Sequence, residues 1–198
     1  MIPRLVIASK NSDKIREIED ILGSMGLAEE IVRGLDWLDV EETGESLEEN
    51  ALIKARAVTE TTGLPVVADD TGLEVDALDG EPGVRTARFA GPDATYDDNV
   101  IRLLEAMEGV EDRTAHFRTV VALVFPDDVE VMAEGSVDGV IARARRGSGG
   151  FGYDPIFEVA GRTLAEMTVQ DKNDLSHRAR ALRALGQRLG LSGAGDRT

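Results

Sequence analysis

The sequence predicts an α/β protein in which a mixed β-sheet is flanked by helices. Three observations carry this. The apolar runs Leu5-Val-Ile-Ala8 and Val66-Val-Ala68 each adjoin a stretch of helical periodicity, the first preceding one and the second following one. A longer apolar stretch, 116–125, meets the turn Pro126-Asp-Asp128 and a return run at 129–133, as an antiparallel pair does. The chain then closes on a segment with Leu182, Leu185 and Leu189 on one helical face. A length of 198 residues suits one domain, residues 1–198, or two closely packed lobes.

Residues 5–8 read as a buried first strand. The strand passes through Ser9-Lys-Asn-Ser-Asp-Lys14 into a helix with Ile15, Ile18, Ile21 and Leu22 on one face. Asn11 or Ser12 is its N-cap, and Gly23 or Gly26 its stop. A polar joint between strand and helix offers amide N–H groups, a positive dipole end and two lysines, which together make an anion site. It lacks the glycines of a nucleotide-binding glycine loop. Ordinary capping with solvated lysines is the plainer reading.

A second strand is expected over 31–40, with Trp37 in the core. Glu41-Glu-Thr-Gly44 follows, and Ser46 with Glu49 forms a capping box that opens a helix running to about Thr62. Leu47, Ala51, Ala55 and Val58 make its apolar stripe, while Asn50 and Lys54, four apart, share another face. That helix feeds the strand 66–68, which ends in Asp69-Asp70 before Thr71 and a Gly72 able to turn the chain. Neighbouring strand residues point to opposite faces, so only one of the two aspartates can serve a given site. A carboxylate there is placed to hold Mg²⁺ on a phosphate or to activate water; the plainer alternative is a turn that caps loop amides.

Residues 73–77 alternate apolar and acidic as a strand with one wet face does, and residues 79–83 form a turn cluster. The segment with Arg85, Arg88 and Phe89 carries no assignment. Thr95 caps a helix with Val100, Leu103, Leu104 and Met107 inward. His116 opens the long strand as a packing or surface residue, and 137–142 extends the sheet. In residues 145–155, glycines at 147, 149, 150 and 152 interleave with Phe151 and Tyr153. Such a loop lets an aromatic stack on a nucleobase while Asp154 or the backbone reads its edge; a hairpin link with tucked aromatics is the alternative. Residues 164–167 form a short amphipathic turn. Ser176 caps the final helix, which puts His177 and Arg178 in its first turn. A cation there opposes the dipole unless an anion faces it. Fraying is expected from Ser192.

Composition narrows the function. The absence of cysteine excludes disulfides and thiolate metal sites, and the cytoplasm is the expected location. No apolar run nears the ~20 residues of a membrane span, so no membrane is expected as a partner. A net charge of −16 opposes binding to nucleic acid, whose affinity comes from basic side chains on phosphates. Of 22 basic residues only Lys10, Lys14, Lys54 and Lys172 are lysine, and each lies in or beside a stretch singled out above.

Taken together, Ser9-Lys-Asn-Ser-Asp-Lys14, Glu41-Glu-Thr-Gly44, Glu49-Asn-Ala-Leu-Ile-Lys54, Ala68-Asp-Asp-Thr-Gly72, Gly150-Phe-Gly-Tyr-Asp-Pro155 and Lys172 with Ser176-His-Arg178 resemble the inosine triphosphate pyrophosphatase family. The resemblance spans residues 5 to about 189. It implies an elongated mixed sheet in two lobes around a central cleft, and a homodimer. It implies Mg²⁺-dependent hydrolysis of ITP, dITP and XTP to monophosphate and pyrophosphate. Carried over, Ser9, Lys10, Asn11, Ser12, Asp13 and Lys14 hold the triphosphate, Glu41 and Asp70 the metal, and Asp70 also accepts the proton of attacking water. Lys54 contacts phosphate and Thr71 touches the substrate. Phe151, Gly152, Tyr153, Asp154, Lys172, His177 and Arg178 form the base pocket. Lys10 stands where many members have Gly, and Thr71 where many have Ser. A phosphatase with an aspartyl-phosphate intermediate is the competing enzyme class, but such enzymes want a second aspartate where Gly72 stands. A nucleotide sensor without turnover is the other alternative.

Overall fold

The protein is seen here as a computed structural model that describes residues 1–190. The first strand, β1 (Ile2–Ile7), buries Leu5 and Val6 and leads into α1 (Ser12–Met25). Asn11 is the N-cap of α1, and Gly26 ends the helix in the left-handed region. β2 (Ala28–Val32) pairs parallel with β1. The strand expected over 31–40 therefore lies earlier and stops at Val32. Gly34 takes a φ of 73°, residues 33–46 form no regular element, and Trp37 is half-buried in that connection rather than in the core.

Ser46 caps α2 (Leu47–Thr62) through its hydroxyl, which accepts from the Glu49 amide. The Glu49 carboxylate accepts from the amide of Glu45 rather than Ser46, so the expected box closes one residue further out. Leu47, Ala51, Ala55 and Val58 are buried as the periodicity requires. The next strand corrects a second expectation. β3 (Val66–Val75) does not end at Asp69-Asp70; it runs on through Thr71 and Gly72. Leu73 and Val75 are fully buried, and Leu73 and Glu74 pair with β4 (Pro82–Gly83), so continued pairing outweighs the freedom of Gly72 to turn.

A 3₁₀ turn at Asp76–Leu78 precedes β4, and another at Thr86–Arg88 accounts for the unassigned segment. α3 (Tyr96–Ala106) starts from a capping box between Thr95 and Asp98. β5 (Thr114–Val124) and β6 (Glu130–Ile141) follow, the latter one continuous strand where two runs were expected. After β7 (Phe157–Val159), β8 (Arg162–Thr163) and a 3₁₀ turn at Leu164–Glu166 come α4 (Val169–Leu175) and α5 (His177–Arg188). The fraying expected from Ser192 concerns residues outside those described.

Among the described residues the eight strands form one mixed sheet in the order β2-β1-β3-β5-β6-β7-β8, with β4 on β3. The chain divides into two units. The first comprises Met1–Asp70, Thr119–Gly135 and the segment from His177; the second comprises Thr71–Arg118 and Ser136–Ser176. Each has its own apolar cluster. In the first, Leu5, Ile18, Leu22, Val67, Leu123, Leu182 and Leu185 pack together. In the second, Leu73, Leu103, Phe117, Ile141, Ile156 and Phe157 do so, with the Phe117 and Phe157 rings edge to face at 4.7 Å. Each such side chain, fully buried, contributes about 1.5–3 kcal/mol.

Candidate active site

Strand alternation sorts the two aspartates of β3. The Asp69 side chain, 2% exposed, meets Lys14 at 3.3 Å and the Arg178 Nε at 3.0 Å. Arg178 also ion-pairs with Glu17. Burial alone would push the Asp69 carboxyl up, but the charges of Lys14, Arg178 and Lys54 outweigh it and hold the group well below the usual range. The anion that offsets Arg178 at the start of α5 is thus the chain's own, and the expected dipole conflict is settled internally.

Asp70 meets a different set. Asn50 and Lys54 both reach it, one turn apart on α2: the Asn50 Nδ2 donates to one carboxylate oxygen at 3.2 Å, and the Lys54 Nζ approaches the other at 3.3 Å. The shared face of Asn50 and Lys54 therefore packs on a buried carboxylate and is not a solvated surface. Lys54 also donates to the Asp69 carbonyl at 2.6 Å and to Glu42 at 2.7 Å. Burial disfavours its ammonium, yet Asp70, Asp69 and Glu42 together raise its pKa. Asp70 is raised as well, first by burial; Lys54 opposes that only in part while Glu42 and Asp69 add to it.

Gly44 explains how the 33–46 connection can come so close. Its amide donates to the Asn50 Oδ1 at 2.8 Å, and a Cβ at this position would stand 2.7 Å from that oxygen. The backbone at residue 44 therefore fixes the Asn50 amide, which in turn holds Asp70.

In the stretch expected to bind phosphate, the Asn11 Oδ1 accepts from the Asp13 and Lys14 amides at 2.9 and 3.2 Å, and the Ser9 hydroxyl accepts from the Asn11 amide at 3.2 Å. Lys10 pairs with Asp39 at 2.5 Å, Asp13 faces Arg16 at 3.6 Å, and Ser12 is exposed. The cap expected at Asn11 is present, and both lysines sit on carboxylates rather than in solvent.

Glu41 is exposed, and the acid facing Lys54 is its neighbour Glu42. Among the described residues no group of three or more carboxylate or imidazole side chains converges as a metal cage. The atoms that accept from the Lys54 Nζ are all oxygens, ligands of the kind Mg²⁺ takes; that ion uses one or two carboxylates and completes its shell with phosphate and water. His177, also in the first unit and buried, hydrogen-bonds through Nδ1 to the Thr119 hydroxyl at 2.6 Å. Thr71 is half-buried in β3.

The second unit holds the glycine-rich stretch. The Asp154 Oδ2 accepts from the Phe151 amide at 2.8 Å and from the Lys172 Nζ at 2.8 Å, while that ammonium lies 4.6 Å from the Phe151 ring centroid. Gly150 has a φ of 71°, and a Cβ there would fall 1.9 Å from the same Asp154 oxygen. Gly152 is also left-handed, at 60°. Tyr153 is buried and donates through its hydroxyl to the Thr86 carbonyl at 3.0 Å; burial pushes its pKa up. Phe151, Asp154 and Lys172 thus form one assembly, and Tyr153 is a core anchor for it.

Residues 5–188 match the family described as the Ham1 family. The chain belongs to the Ham1 family. A dITP/XTP pyrophosphatase of Methylococcus capsulatus is 50% identical over 194 residues, 94% of this chain and 96% of that protein. One from Symbiobacterium thermophilum is 52% identical over 192 residues, 94% of each. Among solved structures, the Ham1 protein of Staphylococcus aureus superimposes with a TM-score of 0.83 at 38% identity, covering 94% of this chain and 98% of that one. A HAM1 protein from Coxiella burnetii gives 0.81 at 39% identity, covering 96% and 100%.

For a Ham1 chain, the residues that sequence reasoning passed over are Glu17, Glu42 and Thr119. Glu17 carried a signal: it stands four residues before Ile21, on the buried stripe of α1, where an unpaired charge would be costly. Glu42 and Thr119 carried none.

Proposed function

We propose that this chain hydrolyses purine nucleoside triphosphates with a 6-oxo base, dITP, XTP and ITP, to the monophosphate and pyrophosphate. The names of its relatives support that substrate class. The observation that carries the chemistry is the hold of Asn50 and Lys54 on the buried Asp70. A carboxylate fixed by two donors, each itself anchored, is oriented to accept a proton from water attacking the α-phosphorus. Lys10 and Lys54 exchange Asp39 and Glu42 for phosphate oxygens, and Lys14 adds a phosphate contact while it keeps Asp69, so the ammonium groups enter the reaction already positioned. Mg²⁺, held by Glu41 and Asp70 with Glu42 adjacent, would supply further charge neutralisation on the triphosphate.

In the second unit, Phe151 offers a face for the base and Lys172 a donor for its 6-oxo group, with Asp154 orienting the ammonium. Adenine presents an amino group there, so a buried donor would lose its acceptor and discrimination would be steep. The working form is a cytoplasmic homodimer, a state that sedimentation equilibrium decides.

The test is a panel of ITP, dITP, XTP, GTP and ATP, assayed for pyrophosphate and orthophosphate with and without Mg²⁺. Stoichiometric pyrophosphate from ITP, dITP and XTP, dependent on Mg²⁺, is the expected result. Orthophosphate as the first product, or ATP turned over as fast as ITP, contradicts the proposal.

A further inference from the structure

The first turn of α3 touches the glycine-rich loop at two points. Arg145, at the start of that loop, ion-pairs with the Asp97 carboxylate and donates from its other terminal nitrogen to the Asp97 carbonyl at 3.2 Å. Farther along, the Phe151 ring stands 5.9 Å from the Tyr96 ring, tilted by 40°. Tyr96 remains 42% exposed, so it is no core residue of α3, and the ring it meets belongs to the loop.

The loop needs such ties. Gly147, Gly150 and Gly152 all have positive φ, and ordering glycine costs more chain entropy than ordering any other residue. Its base is held by the Arg146 amide on the Pro155 carbonyl at 2.9 Å and the Gly149 amide on the Ala165 carbonyl at 3.0 Å. Phe151 itself is the common element: its ring meets Tyr96 and Lys172, and its amide bonds the Asp154 oxygen that Lys172 also uses. Any shift of that ring moves the group expected to face the base.

We propose that Tyr96 and Asp97 are positioning residues, a clasp on the glycine-rich loop that sets the orientation of Phe151 and through it the preference among purine bases. The proposal rests on the reading that Phe151, Asp154 and Lys172 recognise the base. Neither clasp residue acts on the phosphates, so base-dependent and base-independent binding separate cleanly.

The experiment compares Tyr96→Ala, Tyr96→Phe and Asp97→Ala with the parent chain. It reads kcat and KM for ITP and GTP, inhibition by tripolyphosphate as a base-free probe, equilibrium binding of IMP, and amide exchange over residues 147–153. Tyr96→Ala and Asp97→Ala should raise the ITP KM about three- to tenfold, the range that one aromatic or ionic contact supports. They should narrow the preference for ITP over GTP, weaken IMP binding, speed exchange in the loop, and leave kcat and tripolyphosphate inhibition at parent values. Tyr96→Phe, which keeps the ring, should behave as the parent. An unchanged base preference and IMP affinity overturns the proposal, as does unchanged exchange. A joint rise in the ITP KM and the tripolyphosphate inhibition constant also overturns it, because that marks a loosened fold. Failure of the parent chain itself to release pyrophosphate from ITP would sink the proposed function instead, while IMP binding and exchange still judge the clasp.

Discussion

At Asp69 and Asp70, two adjacent carboxylates of one strand have opposite duties. Asp69 is locked between Lys14 and Arg178, with its pKa held low, so its role is to neutralise buried cations. Asp70 shares a single ammonium with Glu42 and keeps a hydrogen bond from a neutral amide, and burial raises its pKa, which is the basicity the proposed reaction calls for. Asp70→Asn should lower kcat by about 10²- to 10⁴-fold, the usual contribution of a general base, while nucleotide binding and stability survive. Asp69→Asn should instead cost about 3–5 kcal/mol of stability by stranding buried positive charge, as read by urea unfolding. The alternation of strand side chains made it legible in the sequence that the two aspartates would meet different partners, one of them at the site expected for chemistry. Which one was not legible, because the partners that decide it, Lys14 and Arg178, lie far from β3 along the chain.

At the level of elements, the local signals were strong wherever caps and periodicity agreed. Asn11, Ser46 and Thr95 open their helices, and Gly26 and Gly63 close theirs, as their side chains or lack of them require. The expectations that failed concern strand ends, which depend on pairing rather than on the residue in place. β3 passes through Gly72 because β4 pairs beyond it, and β2 stops at Val32, where its register with β1 ends at Val6. The same non-local logic makes His116 a structural bridge. Its Nδ1 lies 3.0 Å from Asp138 on β6 and its Nε2 2.9 Å from Asp76. Two carboxylates can both accept only from the imidazolium, and the hydrogen bond to Asp138, followed by that to Asp76, raises its pKa. A raised folded pKa means that the stability it adds is complete below the ordinary histidine value near 6.5 and is lost as pH rises through the folded value. Melting temperature should fall across that window, and His116→Asn should flatten the fall. A parent profile without slope there would contradict the bridge.

For the whole molecule, charge is the governing quantity. The net charge is −16, yet Lys10, Lys14, Lys54 and Lys172 all meet carboxylates. An anionic substrate must therefore displace internal acids as well as approach an acidic surface. Screening weakens self-repulsion, so the melting temperature should rise between roughly 0.01 and 0.5 M NaCl, over which the Debye length drops from about 30 Å to a few ångströms. A fall over that range would show that the internal pairs outweigh the surface repulsion.

The central claim is that water attacks the α-phosphorus beside Asp70. Single-turnover hydrolysis of ITP in ¹⁸O-labelled water, read by mass spectrometry, tests it most directly. The label should appear in IMP with none in pyrophosphate, and Asp70→Asn should suppress its incorporation. Label in pyrophosphate or orthophosphate, or incorporation undiminished in the variant, would contradict the account.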